Sequence, residues 1–308
     1  MLIGQSPQIL KIKRMIRECA KTDDNVLIIG NVGTGKRLVA QEIHQRSRQK
    51  NKPFVSVNCT AIGDTISETD LFGEVKESSH GIERKIGLFE QAQKGILYLE
   101  NFDELIADYQ QKLFNILHEK KIKKIGDSEF SDVTFRIIAT TTDKDITKLD
   151  SMRKDLLSLI NKFTIHIPPL RERRQDIPSL FTSFLEQYCE EYNHEIPPVP
   201  ADLFESLMEY EWTANVEELK NTTRNLVLMS PEGQLSMQYL PFEYKKHPFE
   251  FLEGRELPDA MMEVERYLIK KALRRFAGNQ TKASHALNVS EAALRYKMKK
   301  YNLSRKAF

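Results

Sequence analysis

A chain of 308 residues, 40% hydrophobic and 29% charged, has the composition of an ordinary globular protein and the length for two or three packed units. Its longest apolar runs, VLIIG at Val26 to Gly30 and FRIIAT at Phe135 to Thr140, are strand-sized, far short of the ~20 residues a membrane-spanning helix needs. The net charge of +2 divides unevenly: residues 263–308 hold twelve Lys/Arg against three Asp/Glu, or +9, leaving −7 elsewhere, so the C-terminal end is suited to a polyanion.

Cys19, Cys59 and Cys189 are odd in number and lack CxxC spacing, so neither a disulfide framework nor a zinc site is expected. The seven histidines are scattered, with none at metal-ligand distance from a second His or Cys, and no metal site is expected from them. With no leader-like segment ahead of the first strand pattern, the expected location is a reducing cytoplasm, with no membrane partner.

From about residue 24, short β-branched runs alternate with helical stretches: VLIIG, KRLVAQEIHQRS, FVSVNC, a long polar insertion, GILYLEN, QQKLFNILHEK and FRIIATT. That rhythm predicts an α/β unit with a parallel sheet over residues 1–170. After PPLRERRQDIP the pattern turns helical through SLFTSFLEQYCEEYN, ADLFESLMEYEW and VEELKNTTRNLVLMS, which reads as a small helical lid over 171–243. Residues 244–259, with prolines, glycine and no clean period, read as a linker, and residues 260–308 as a separate all-helical domain.

The segment Val26 to Lys36, VLIIGNVGTGK, is a buried strand running into GxxxxGK and a helix, the context in which this spacing signals a phosphate-binding loop. Gly30, Gly33 and Gly35 let backbone amides curl around an anion, with Thr34 between them, and Lys36 reaches the outer phosphates. Arg37 stands where a Ser/Thr hydroxyl would hold Mg²⁺, which weakens metal coordination on that side.

At the C-terminal end, EVERYLIKKALRRFAGNQTKASHALNVSEAALRYKMKKYNL predicts three helices. The first carries Tyr267, Leu268, Ile269, Ala272 and Phe276 and ends near Gly278; the second runs from Thr281 to Leu287, with Ala283 and Ala286 suited to close packing. Asn288 supplies the left-handed turn. The third opens on the N-cap Ser290, turns Leu294, Met298 and Tyr301 inward, and points Arg295, Lys297, Lys299 and Lys300 outward.

The order LIGQSPQILKIKRMI, GNVGTGK, PFVSVNC, ETDLFGEVK, GLFEQAQKGILYLEN, IHIPPLRERRQDIP and GNQTKASHAL resembles the NtrC-type, sigma-54-dependent enhancer-binding activators over nearly the whole chain. The resemblance implies an AAA+ P-loop parallel sheet with a helical lid, followed by a Fis-type helix-turn-helix. It implies Ser290, Ala293, Arg295 and Tyr296 as groove-facing positions, with Asn279, Thr281, Lys297, Lys299 and Lys300 better suited to phosphates. The implied partners are double-stranded DNA, RNA polymerase in a form left open, and further copies of the chain as a homodimer or higher oligomer.

Measured against that family, the catalytic positions depart. The Asp–Glu pair at the end of the second ATPase strand is matched by Glu100 and Asn101, and Asn58 resembles the asparagine that senses the catalytic glutamate. Asp103 and Glu104 lie just beyond the strand. Of two arginine fingers only Arg153, with Asp155, is matched, the second position being Leu159. Glu217 replaces the lid arginine that meets the γ-phosphate, and Thr142 matches a position usually Asn. The loop that grips sigma-54 through an aromatic tip is matched by KESSHGIERKIG, with Ser79 and His80 near its tip. The expectation is a DNA-binding regulator with no working catalytic residues, negligible ATP hydrolysis and no sigma-54 engagement. ATP or ADP would bind weakly, and Mg²⁺ only with the nucleotide. An active ATP-hydrolysing sigma-54-dependent activator is the alternative.

Overall fold

The computed structural model describes residues 2–78, 81–142, 151–230, 234–241 and 256–303. Their contacts form two compact units, Met1–Gln187 with Glu211–Thr223, and Tyr188–Tyr210 with Arg224–Phe308.

The first unit begins with α1 (Pro7–Cys19), started by Ser6, whose hydroxyl accepts from the Ile9 amide. β1 (Val26–Gly30) leads through the phosphate loop into α2 (Lys36–Arg46), and β2 (Phe54–Asn58) follows. The expected polar insertion is structured: α3 (Glu68–Phe72) precedes an antiparallel ribbon of β3 (Gly73–Ser78) and β4 (Gly81–Ile86), whose tip at 79–80, including Ser79 and His80, lies outside the described residues. Then come α4 (Leu88–Gln91), β5 (Ile96–Glu100), α5 (Ala107–Glu119), a small ribbon of β6 (Lys121–Lys123) with β7 (Phe130–Asp132), β8 (Arg136–Thr141), α6 (Lys154–Ile160) and β9 (Phe163–Ile167).

Five strands form one sheet in the order β2-β5-β8-β1-β9, all pairs parallel, as the alternation predicts. Parallel strands need crossovers, which place helices on both faces and leave the strands buried on both sides. Alternate residues feed two cores accordingly: Val26, Ile28, Ile96, Tyr98 and Ile138 pack with α1 and α2, while Leu27, Leu97, Leu99, Ile137 and Ala139 pack with α3 to α6. The buried Asp176 accepts from the amides of Gln5 and Ser6 at 2.7 and 2.8 Å and from Ser6 Oγ at 2.5 Å, tying the start of α1 to the turn after β9.

The remaining helices are α7 (Ile177–Glu191), α8 (Ala201–Glu209), α9 (Asn215–Met229), α10 (Leu257–Arg275), α11 (Gln280–Ala286) and α12 (Glu291–Lys300). α10 starts at Leu257, inside the stretch read as linker, because Pro258 suits a helix's first turn as well as a loop. Most of that stretch lies outside the described residues. In the second unit α10, α11 and α12 enclose Ile269, Ala272, Leu273, Ala283, Leu294, Met298 and Tyr301. Two expectations change there: Leu268 is 45% exposed while Leu273 is buried, and on α11 Ser284 is buried while Ala286 is exposed. In each case a helix turns its face by one position, which spacing alone resolves poorly. Among the described residues no helix is long and apolar enough to cross a membrane.

Candidate nucleotide cleft and nucleic-acid interface

Parallel strands bring their C-terminal ends to one edge, where βα loops meet. Asn58 and Glu100 stand in register at the ends of β2 and β5, and the loop after β1 opens beside them. A cleft of about 500 Å³ there is lined by Gly33, Gly35, Lys36, Arg37, Glu100 and Asn101 from the sheet edge, and by Glu217 and Lys220 from α9.

The loop has the form its glycines predict. A Cβ on Gly30 would lie 2.9 Å from Thr34 Oγ1, and one on Gly33 (φ +75°) only 2.0 Å from the Ala214 carbonyl oxygen. Gly35 (φ +99°) caps α2, and the place of its missing Cβ is open, a cradle at a helix N-terminus of the kind that receives phosphate. Thr34 is buried and its hydroxyl donates to the Asn31 carbonyl at 2.7 Å. Lys36 Nζ donates to the carbonyls of Gly30 (2.7 Å) and Asn31 (3.2 Å). Burial lowers the Lys36 pKa, and the nearby carboxylates of Asp103 and Glu100 oppose that shift.

Two buried groups brace the loop. Arg173 donates to the Thr34 carbonyl (3.1 Å) and to the Pro168 carbonyl (3.2 Å); desolvation lowers its pKa and Asp176 opposes this. Asn215, at the start of α9, donates to the Val32 carbonyl (2.8 Å) and accepts from the Leu170 amide (2.8 Å), and the Val216 amide donates to the Gly33 carbonyl (3.0 Å). Neither Arg173 nor Asn215 is singled out from the sequence, because PPLRERRQDIP marks only the end of the α/β unit and the start of α9 is considered only for Glu217 in place of an arginine.

At the strand ends, Asn101 (φ +52°) donates from Nδ2 to Asn58 Oδ1 at 3.1 Å, so the two amides hold each other where a carboxylate–amide pair was the family expectation. Glu100 is 3.4 Å from the Arg37 guanidinium. Asp103 lies in the short turn Phe102–Glu104, its Oδ1 buried without a hydrogen-bond partner among the described residues, whereas Glu104 is exposed. Burial chiefly pushes Cys59 up to about 12, and the nearby carboxylates of Asp103 and Glu100 add to the shift. Glu217 is exposed in the first turn of α9, and Lys220, absent from the sequence reading, lines the cleft one turn on. An i,i+3 shift on one helix face could have been found by searching for a cation near the lost arginine.

Mg²⁺ in a phosphate loop is held by oxygen, from a Ser/Thr after the lysine and a strand-end carboxylate. Here the first position is a guanidinium, the Thr34 hydroxyl is engaged, and Glu100 already faces Arg37. A guanidinium against the strand-end carboxylate disfavours the ion there, although Asp103 Oδ1 has no hydrogen-bond partner among the described residues, and no catalytic step is assigned to a metal.

Arg153 is bound within its own chain: it pairs with Asp155 at 2.5 Å, donates to Gln111 and lies over the Phe114 ring at 5.1 Å. The pair drops the Asp155 pKa to about 2, mainly through the hydrogen bond from Arg153. Leu159 is half-buried on α6, and its carbonyl accepts from Asn25. Thr142 follows β8 directly.

In the second unit, Ser290 Oγ accepts from the Ala293 amide at 3.1 Å and starts α12, while Asn279 Oδ1 accepts from Lys282 (3.0 Å) and starts α11; Asn288 has φ +52°. Arg295 is exposed and held by Gln280 (3.2 Å) and Glu291 (3.0 Å), and Tyr296 is 70% exposed beside it. Thr281, Lys299 and Lys300 are exposed and Ala293 half-buried. Lys297 departs from the outward expectation: half-buried, it pairs with Glu265 of α10 at 2.7 Å, and Tyr301 donates to the same carboxylate at 2.5 Å. The helix turn that buries Leu294 and Met298 carries Lys297 towards α10.

Comparison with known proteins agrees with both regions. The family described as "Sigma-54 interaction domain" matches residues 2–166, "AAA+ ATPase lid domain" residues 171–251, and "Bacterial regulatory protein, Fis family" residues 260–301. The chain is 33% identical over 98% of its length to the transcriptional activator RocR of Bacillus subtilis (strain 168) and 32% identical over 98% to the regulatory protein AtoC of Escherichia coli (strain K12), spanning 68% of each. It is similar also to a signal-transduction and transcriptional-control protein of Clostridium beijerinckii (32% over 98% of the chain), of which it spans 48%. Among solved structures, NtrX from Brucella abortus in complex with ADP superposes with a TM-score of 0.71 at 27% identity, over 97% of this chain and 68% of NtrX. A five-stranded parallel sheet with a phosphate loop, a lid and a Fis-type helical end are therefore present in family order, and the chain belongs to the sigma-54-interaction-domain family of DNA-binding transcriptional regulators.

Proposed function

We propose that this chain is a cytoplasmic DNA-binding transcriptional regulator that holds a nucleotide weakly in the cleft at the sheet edge and does not turn it over. The observation that carries this is Asn101: an amide bonded to Asn58 stands where a carboxylate would polarise water, and an amide accepts no proton at neutral pH. Arg153, held by Asp155 and Gln111, and Leu159, an alkyl chain, support it at the positions that would act on a neighbouring copy's nucleotide. The polar tip residues Ser79 and His80 support a regulator that contacts RNA polymerase other than through the sigma-54 grip. NtrX has been crystallised with ADP and with ATP, which supports a nucleotide in the corresponding cleft here, on Gly30, Gly33, Thr34, Gly35, Lys36 and Arg37. The basic helical end, α10 to α12, would bind double-stranded DNA as a homodimer or within a higher oligomer.

Steady-state ATP turnover by the purified, oligomeric chain tests the reading. Loss of such groups costs on the order of several powers of ten in rate, so phosphate release at background is expected. Turnover near one per second, on the order of a working enzyme of this class, would overturn it.

One observation favours a second reading as an active ATPase: the Asp103 carboxylate, unpartnered at Oδ1, lies close enough to Lys36 to act on its charge. In that case Asp103→Asn abolishes turnover that Asn101 alone would not explain.

A further inference from the structure

The position after the phosphate-loop lysine offers no oxygen ligand and carries a cation instead. Arg37 is in the first turn of α2, its side chain 59% exposed to the cleft, with one guanidinium nitrogen 3.4 Å from Glu100 Oε1. Glu100 ends β5, at the strand-end carboxylate position that faces a divalent ion in a phosphate-loop enzyme. A positive charge held against that carboxylate lies in the space of the ion and repels it. Of the other candidate oxygens, Thr34 Oγ1 is engaged with Asn31 and Asn58 Oδ1 with Asn101 and Thr60, while Asp103 Oδ1, without a hydrogen-bond partner among the described residues, acts on the charge of Lys36. Mg²⁺ at a nucleotide is held by one or two carboxylates besides phosphates and water, and here the strand-end carboxylate already faces a guanidinium. A guanidinium instead offers a planar fork of donors matched to phosphate oxygens, only one of which is used here. Lys36 and Lys220 add two more cations to the lining, against Glu100 and Glu217.

From this arrangement we infer that the cleft takes a metal-free nucleoside di- or triphosphate, with Arg37 supplying the positive charge that Mg²⁺ supplies elsewhere. The inference rests on the reading of the cleft as a nucleotide site. It gives a physical sense to Arg37 and Glu100 as a matched pair: the cation neutralises the carboxylate in the empty cleft and swings to the phosphates when a nucleotide enters. It also separates binding from turnover, since an internal guanidinium can hold phosphates without activating a water.

The test is calorimetric titration of the full chain with ATP and with ADP, in EDTA and in excess Mg²⁺. The affinity in EDTA should equal or exceed that in Mg²⁺. Arg37→Ser, which removes the cation and supplies a hydroxyl at an exposed position, should lose about tenfold or more in EDTA, the loss of one charge-assisted contact, and recover affinity in Mg²⁺. Glu100→Gln should bind metal-free nucleotide more tightly, because the guanidinium is released and a negative charge is gone. Wild-type binding that vanishes in EDTA and returns with Mg²⁺ overturns the inference, as does an Arg37→Ser affinity unchanged in EDTA. Absence of binding in both media has a different meaning: the reading of the cleft as a nucleotide site itself fails.

Discussion

Arg173 illustrates how much a single buried charge organises. It is 1% exposed, spans from the Pro168 carbonyl to the Thr34 carbonyl, and has Asp176 as its nearby countercharge. Asp176 in turn receives three hydrogen bonds from Gln5 and Ser6. Arg173→Met keeps the volume but leaves two carbonyls unpaired and Asp176 uncompensated, for an expected loss of about 2–4 kcal/mol in urea unfolding. A loss within about 0.5 kcal/mol would mean that the loop is braced mainly by Asn215. The cysteines give a second residue-level outcome. Burial raises Cys59 to about 12 and Cys19 to about 11, and raises Cys189 as well, so all three are thiols at neutral pH and shielded from reagents. A thiol-specific dye at pH 8 should label none in the native chain and all of them after denaturation; rapid native labelling of Cys59 would show that the core around it opens.

At the scale of elements, α10 and α12 are joined by one carboxylate with two partners. Lys297 and Tyr301 hold the Glu265 pKa below its usual 4.5, and burial with the Glu265 hydrogen bond raises Tyr301 from 10.0 to about 12. A depressed acid stabilises above its unfolded pKa and loses that contribution as pH falls through the folded one; a raised tyrosine stabilises below its unfolded pKa and loses it as pH rises to the folded one. The junction should therefore weaken below pH 4.5 and again between about 10 and 12. Tyrosinate absorbance of wild type minus Tyr301→Phe should show one group titrating near 12, and a difference centred at 10 would mean the contact is absent in solution. The caps matter on the same scale. Ser290→Ala removes the bond to the Ala293 amide and should cost about 1 kcal/mol of stability, with weaker DNA binding because α12 frays where its reading face begins. Circular dichroism melts and a binding titration of the same variant check the two effects together.

For the whole molecule, the charge asymmetry and the helical end lead to DNA. Arg295 reaches outward between Gln280 and Glu291, and Arg295→Ala should cost roughly 1–3 kcal/mol at a specific site while relaxing sequence preference. Lys299→Ala should instead weaken binding to all sequences and reduce the salt slope by about one. Lys297 is tied to Glu265, so Lys297→Ala should act more through stability than through the salt slope. A footprint with unchanged preference in Arg295→Ala would remove α12 as the reading element.

Much of this was legible without coordinates, for a physical reason. Strand-sized β-branched runs alternating with helical ones admit few arrangements besides a parallel sheet, and a glycine-rich turn between strand and helix leaves its mark at fixed spacing. The N-cap Ser290, the left-handed Asn288 and the inward Leu294, Met298 and Tyr301 were likewise readable, because caps, turns and helical period are local. What remained hidden depends on distance along the chain. The pairing of Arg37 with Glu100, 63 residues apart, the buried Arg173 beneath Thr34, 139 apart, and the Lys297–Glu265–Tyr301 junction come from packing, which no local pattern encodes. The sequence by itself determined the family, the order of elements and which side chains stand in the phosphate loop and at the strand ends. Only the tertiary structure decided what those side chains touch, because a charge acquires its neighbours from the groups that folding brings within a few ångströms of it.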